Sequence, residues 1–367
     1  MIGFTQLKRF DAPLFVLMVV LIVIGLAGLY SLSLAEKGAG SVNFSRQLIF
    51  ASAGLVLFFF VCLIDFRLLR SLAYWVYFLG ILLLILVLIA GETSRGMKGW
   101  LNFGFFNFQP TEFVKLAVIM FLASFWQRVP KPIRLKDAIK SVLFVSPSVC
   151  LIICQPDFGS AIVIVILWLS IFLLVNSNKK FIFGLAVIIV LVSVAAWLFF
   201  LKDYQRDRIS TYLNPQADPL GRGYQITQSV VAVGSGRIFG RGFGLGSQSQ
   251  LRFLPAAETD FIFVVFAEEF GLVGSLLLLG FYIFLLRHLI KIGLTVYDDF
   301  SLIMISGIAV YFFSQLAINV GMNLGLLPVI GLPLPLVSYG GSSLLISMLA
   351  LAVVESVVLH QPFTKTL

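Results

Sequence analysis

Charge is scarce in this chain of 367 residues. Only 12% are Asp, Glu, Lys or Arg, about half the share of a water-soluble globular protein. That shortage excludes a soluble enzyme, and a 60% hydrophobic content excludes a disordered tail. Cysteine is equally sparse: Cys62, Cys150 and Cys154 all sit inside apolar runs. They read as buried small hydrophobes, not as the staples of a secreted scaffold. Two histidines, His288 and His360, are too few and too far apart for a metal cluster. His-Glu-x-x-His is absent, and the glycines from Gly236 to Gly240 lack the Lys-Ser/Thr that follows in a phosphate-binding loop. Neither zinc proteolysis nor ATP-driven transport is expected. No internal repeat and no separate soluble domain stands out, so residues 1–367 read as one unit.

What the chain has in abundance is long apolar runs, with a mean hydropathy of +1.04. A helix that crosses a bilayer needs about 20 mostly apolar residues. Ten stretches qualify: approximately 12–33, 47–64, 71–91, 109–127, 139–155, 159–175, 181–201, 260–287, 300–323 and 337–360. Polar residues interrupt the fourth, fifth and sixth. The first run has no small-residue cleavage site after it and reads as a retained anchor. The expected fold class is an all-α polytopic membrane protein of about ten spans. With a cytoplasmic N-terminus, fourteen Lys/Arg fall on inner segments and only four on the short outer loops. That asymmetry puts both termini in the cytoplasm. The net charge of +9 is scattered between apolar runs, which suits loops facing anionic membrane lipids and does not call for nucleic acid.

One long outer loop remains, roughly 202–259. It is Gly-rich between Gly221 and Gly246 and carries Lys202, Arg206, Arg208, Arg222, Arg237, Arg241 and Arg252 against four acids. Within it, Ile226, Val230 and Val233 recur at helical spacing, with Gln225, Gln228 and Ser229 turned away. This pattern predicts a helix lying at the outer interface. Further on, Pro328, Gly331, Pro333, Pro335, Gly340 and Gly341 cannot form a continuous helix. They predict a broken or re-entrant segment before the last span.

Charge inside a span costs at least about 2.5–3.5 kcal/mol per residue, so each case needs a reason. Glu112 and Lys115 are three apart on one helix face and able to pair. They either lock two helices together or form the polar floor of a substrate cavity. The preceding stretch from Trp100 to Pro110 alternates aromatics (Phe103, Phe105, Phe106, Phe108) as a segment dipping into the outer leaflet does. Asp157 follows Gln155-Pro156, where a proline frees backbone groups that must be buried in protein or line a wet cavity. A simple turn is the alternative there. Asp260 opens the eighth span in Thr259-Asp260-Phe261. It suits an N-terminal cap, and that role is compatible with a catalytic one. Glu268 and Glu269 are expected to partner basic groups, and Glu355 to make a contact within the bundle.

Taken in order, these motifs match a family. Gln109-Pro110-Thr111-Glu112-Phe113-Val114-Lys115, Gln155-Pro156-Asp157-Phe158-Gly159-Ser160 and Gly223-Tyr224-Gln225 come first. Gln228-Ser229, Ala232-Val233-Gly234-Ser235-Gly236, Gly240-Arg241-Gly242-Phe243-Gly244 and Thr259-Asp260-Phe261-Ile262-Phe263 follow. The series ends with Gly325-Leu326-Leu327-Pro328 and the run from Pro333 to Ser343. Over nearly its whole length the chain resembles the SEDS family (shape, elongation, division and sporulation). Val329-Ile330-Gly331 and Leu336-Val337 resemble its elongation branch, RodA, more than its division branch, FtsW.

The resemblance implies a ten-helix glycosyltransferase in the bacterial inner membrane. Such an enzyme polymerises lipid II into peptidoglycan strands on the outer face, serving cell elongation and shape. The implied partner is a class B penicillin-binding protein. The family's catalytic carboxylate maps onto Asp260, its cavity ion pair onto Glu112 and Lys115, and a further cavity residue onto Asp157. Trp100 and Arg208 match family positions near that cavity. There are departures: the family's Glu and His before the Thr-Asp pair are Ala256 and Glu258 here, Arg237 replaces a customary Gly, and Thr111 a customary Ser. Glu258 sets a second negative charge near Asp260.

The expected chemistry is inverting, single-displacement sugar transfer. Asp260 takes the proton of the acceptor hydroxyl, and the Arg-rich loop stabilises the departing diphosphate. The one cofactor considered is a divalent cation at the diphosphate, although no dedicated ligand cluster is visible. Two rival functions fit the same features: a lipid II flippase, and a non-catalytic scaffold for the penicillin-binding protein.

Overall fold

The computed structural model describes residues 9–34, 40–94, 97–104, 106–176, 184, 210–214, 218, 221–251 and 253–361. Three helices come first, α1 (Ala12–Leu34), α2 (Gly40–Cys62) and α3 (Phe66–Ala90). A small antiparallel sheet follows, with β1 (Glu92–Ser94), β2 (Met97–Asn102) and β3 (Asn107–Phe108) side by side. Then come α4 (Pro110–Trp126), α5 (Leu135–Cys154) and α6 (Phe158–Val175). After the long loop's α7 (Arg222–Ser235) and the single turn α8 (Ser247–Gln250), the chain ends with α9 (Ile262–Thr295), α10 (Asp299–Asn323) and α11 (Gly341–His360).

Eight of the described helices are long and apolar enough to cross a membrane. The fourth expected span is α4, 17 residues with a proline in its first turn, where the missing N–H costs nothing. The seventh, 181–201, lies outside the described residues except for Gly184. The eighth extends past its expected end at 287 to Thr295. The sheet is an addition to the helical expectation: the aromatic stretch after Trp100 is a pair of short strands rather than a plain dipping loop.

The bundle has a centre and a rim. Of the apolar windows, 89% of α11 and 72% of α10 is buried, against 22% for α2 and for α5. The rim helices turn large apolar side chains outward, among them Val56, Trp75 and Ile89, as helices bathed in lipid do. Cys150 and Cys154 belong to that outer face of α5, and only Cys62 is buried as expected. At one end of the bundle, Asp11 meets His288 at 2.7 Å. The Asp11 N–H donates to Glu355 at 2.9 Å, so Glu355 makes the bundle contact foreseen for it. The opposite end holds the starts of α4, α6, α9 and α11 and the end of α10.

α9 is two helical pieces joined at Gly271, whose φ of 65° and ψ of −160° interrupt the helix. The glycine-rich loop after α7 fills the break. Arg241 and Gly242 N–H donate to the carbonyls of Glu268 and Glu269, both at 3.0 Å. Leu272 and Val273 N–H donate to those of Arg237 and Ile238 at 2.9 and 3.1 Å. Broken helical hydrogen bonds must be remade inside protein, and these four do so. A Cβ at Gly240 would stand 2.1 Å from the Glu269 carbonyl, so glycine is required for the approach. Arg237, at φ 49°, occupies a left-handed position where the family's customary Gly is easily understood.

Candidate functional site

Asp260 is half-buried in a turn just ahead of α9. The turn is drawn around one carbonyl, that of Ala256, which accepts the N–H groups of Thr259 and Asp260, both at 3.1 Å. Ala256 itself has φ 59°. The cap position of α9 is Phe261, without a side-chain cap bond, and the Thr259 hydroxyl donates back to Ala256 at 3.3 Å. The reading of Thr259-Asp260 as a simple helix cap is therefore corrected: the aspartate sits one residue outside the cap.

The Pro/Gly segment 328–340 is non-helical and largely buried, as its composition predicts. It forms a strap across this end of the bundle. Gly331, at φ 71°, faces Asp260, and a Cβ there would lie 3.5 Å from Asp260 Oδ2. On its other side the strap presses on the start of α6, where a Cβ at Gly159 would lie 3.1 Å from the Ile330 carbonyl. Gln47 of α2 anchors the strap further along, donating to the Ser338 carbonyl at 3.1 Å and accepting the Gly340 N–H at 3.2 Å. One strap thus lies between the Asp157 turn and Asp260.

Asp157 is the cap of α6 and accepts the Ser160 N–H at 3.0 Å. Its Oδ2 is buried and has no hydrogen-bond partner among the described residues, and neither has Thr111 Oγ1. Glu112 and Lys115 pair at 2.7 Å with exposures of 1% and 0%. The Tyr311 hydroxyl of α10 lies beside Glu112 and 3.3 Å from Ser347 Oγ of α11. Because both ions pair within α4, they do not lock two helices by themselves; α10 and α11 close over them instead. Trp100 is half-buried on β2, opposite Glu92, in the sheet that leads into α4. Arg208 lies outside the described residues.

A feature not foreseen runs down α10. Tyr311, Gln315, Asn319 and Asn323 recur every four residues and are buried, so they form one polar stripe facing the interior. It begins at Glu112 and ends at Asp260, whose carbonyl accepts the amides of Asn319 and Asn323 at 3.0 and 3.2 Å. Their spacing within an apolar helix was the available signal.

The long loop departs from its predicted face. α7 buries Ile226, Ser229 and Ala232 and exposes Val230, and the Ser229 hydroxyl donates to the Asn323 carbonyl at 2.5 Å. Among the described residues, Glu268 and Glu269 pair with polar groups and form no ion pair. Glu268 accepts the N–H groups of Gln248 and Ser249 at 2.8 and 2.9 Å, holding α8. Glu269 accepts the hydroxyl of Ser31 and, at 3.3 Å, the amide of Gln250. Glu258 is engaged by the Asn43 amide of α2 at 2.7 Å. Arg237 and Arg241 are exposed on the loop. Among the described residues, no group of three or more His, Cys, Asp or Glu is placed to hold a metal ion.

The chain is similar in sequence and fold to known proteins. Residues 11–362 match the family model for FtsW, RodA and SpoVE, described as a cell cycle protein. The peptidoglycan glycosyltransferase MrdB of Escherichia coli strain K12 is 40% identical over 309 residues, covering 84% of this chain and 83% of that protein. A probable peptidoglycan glycosyltransferase FtsW of Coxiella burnetii is 37% identical, covering 94% and 95%. Among solved structures, a chain of a peptidoglycan synthase complex superposes with a TM-score of 0.82 at 32% identity, covering 96% of this chain and 99% of that one. The rod shape determining protein RodA of Thermus thermophilus gives 0.71 at 29%, covering 96% and 98%. The chain is a multi-pass membrane protein and belongs to the FtsW/RodA/SpoVE family, the SEDS family of its motifs.

Proposed function

We propose that this chain is a peptidoglycan glycosyltransferase that polymerises lipid II at the outer face of the bacterial inner membrane, with both termini in the cytoplasm. Membership of a family whose similar members are named for this activity supports the reaction. The observation that carries the site is the half-buried Asp260 beside Gly331, a residue with no side chain to cover its carboxylate. Asp260 accepts the proton of the acceptor sugar hydroxyl as that oxygen attacks the anomeric carbon, and the diphosphate of the donor leaves from the opposite face. Exposed Arg237 and Arg241, with Arg208, suit the phosphate oxygens. The Glu112–Lys115 pair, closed over by α10 and α11, supplies fixed charge beneath the site, and Asp157 and Trp100 lie at its margin. A divalent cation assisting here would be held by the diphosphate oxygens together with one or two carboxylates, the mode in which Mg²⁺ commonly binds.

A class B penicillin-binding protein is the proposed partner, consistent with likeness to a chain from a complex described as coordinating polymerisation and crosslinking. The test is incorporation of labelled lipid II by the purified full-length chain in detergent, alone and with that partner. Glycan strands resolved on a gel support the reading. Without a bilayer, a flippase has nothing to carry and a scaffold forms no polymer, so the absence of strands under both conditions refutes it.

A further inference from the structure

Three consecutive main-chain carbonyls lead into α9, and each is held from outside the turn. The Tyr339 N–H donates to the carbonyl of Glu258 at 2.8 Å. The Ser338 hydroxyl donates to that of Thr259 at 2.6 Å. Two side-chain amides from α10, Asn319 and Asn323, donate to that of Asp260 at 3.0 and 3.2 Å. A carbonyl oxygen has two lone pairs, so the two amides fill its capacity. The first helical N–H groups of α9 do not compete: Val264 and Val265 both donate to the Phe261 carbonyl, at 2.9 and 3.3 Å. The direction of the Asp260 peptide is therefore set by α10 and not by the helix it precedes.

Both asparagines are fully buried. Their remaining bonds brace the same spot, since Asn323 also donates to Asn319 Oδ1 at 2.9 Å and Asn319 to the Leu332 carbonyl of the strap at 2.7 Å. Burying an amide in an apolar helix is costly unless its hydrogen bonds are made. Both asparagine NH₂ groups donate within this cluster, while Asn323 Oδ1 has no partner among the described residues. The donated bonds converge on the one residue whose orientation matters for proton transfer. Misplacing a reacting group by about 1 Å costs roughly 100-fold in rate, and fixing a main chain fixes where its Cβ points.

We propose that Asn319 and Asn323 are positioning residues for the Asp260 carboxylate, clamping that residue's own carbonyl so that its side chain is aimed past Gly331 at the acceptor hydroxyl. The inference rests on the reading of Asp260 as the base.

The test compares the parent, Asp260→Ala, Asn323→Leu and Asn323→Asp as purified full-length chains given labelled lipid II. It reads kcat, KM, melting temperature and the solvent deuterium isotope effect on kcat. Asn323→Asp keeps the shape and exchanges the donor for an acceptor. The expected result is a kcat lowered about 10- to 100-fold in both Asn323 variants, with KM within about two-fold. The isotope effect should exceed the parent's, because proton transfer to a misaimed base becomes the slow step. A purely structural role would lower the melting temperature and leave the isotope effect where it was. If Asn323→Leu fails to fold, the isosteric Asn323→Asp carries the test. Parental kcat and isotope effect in the Asn323 variants, with Asp260→Ala inactive, overturn the clamp alone. A fully active Asp260→Ala overturns the base assignment and the clamp with it.

Discussion

Lys115→Met probes the buried ion pair most sharply. Lys115 and Glu112 are 0% and 1% exposed and 2.7 Å apart. At that separation the attraction between unit charges is about 6 kcal/mol for an effective dielectric constant near 20. Each ion also loses several kcal/mol of hydration on burial. The two terms largely cancel, so the intact pair adds little net stability. Removing one partner is different, because it strands the other charge among α4, α10 and α11. Lys115→Met should lower the unfolding free energy by about 3–5 kcal/mol, and Glu112→Gln by a similar amount. The double variant should return to within about 1 kcal/mol of the parent. Chemical unfolding in detergent micelles, followed by tryptophan fluorescence, measures all four proteins. Polymerisation of lipid II should stay depressed by about 10-fold or more in the double variant, since preorganised charge buried beneath the proposed site is lost even when stability returns. A double variant as unstable as Lys115→Met alone would refute the reasoning.

Three further outcomes follow from the geometry. Gly240→Ala drives a methyl to 2.1 Å from the Glu269 carbonyl at a φ of 83°, and should lower stability by about 2 kcal/mol or more, read as a fall in melting temperature. Glu268→Gln weakens charge-assisted bonds to the amides of Gln248 and Ser249. Those two amides should then exchange hydrogen about 10-fold faster, a local loss of about 1.5 kcal/mol. Gly331→Val fills the space beside Asp260 Oδ2 and should cut glycan synthesis by about 10-fold or more, measured from labelled lipid II at saturating substrate.

The spans were legible because a bilayer demands a length. The runs 12–33, 159–175 and 300–323 lie within a residue or so of Ala12–Leu34, Phe158–Val175 and Asp299–Asn323. The strap was legible from its prolines, which cannot continue a helix. What sequence periodicity misread was facing. α7 was read with Ile226, Val230 and Val233 on one face and Ser229 turned away from it, yet it buries Ile226 and Ser229 together and exposes Val230. Where the surroundings are as apolar as the core, no hydrophobic force pulls Val inward, and small or polar residues take the packed face instead. The same rule explains why the stripe of Tyr311, Gln315, Asn319 and Asn323 points to the centre of the bundle. Glu268 and Glu269 were assigned basic partners because charge suggests charge. They meet instead the amides of α8 and the Ser31 hydroxyl of α1, contacts between segments far apart in sequence that no single-residue signal discloses. Asp260, Glu112, Lys115 and Asp157 were legible as motif residues, and the strap's position between Asp157 and Asp260 was not, since only folding brings Gly159 against Ile330 and Gly331 against Asp260.

The central claim is that the Asp260 carboxylate takes a proton during strand synthesis. Asp260→Asn keeps the shape of the side chain and removes its basicity. With the purified full-length chain, labelled lipid II and a matched melting temperature, the account predicts a fall in kcat of about 100- to 10,000-fold. Glycan strands made by Asp260→Asn at the parental rate and length would contradict it.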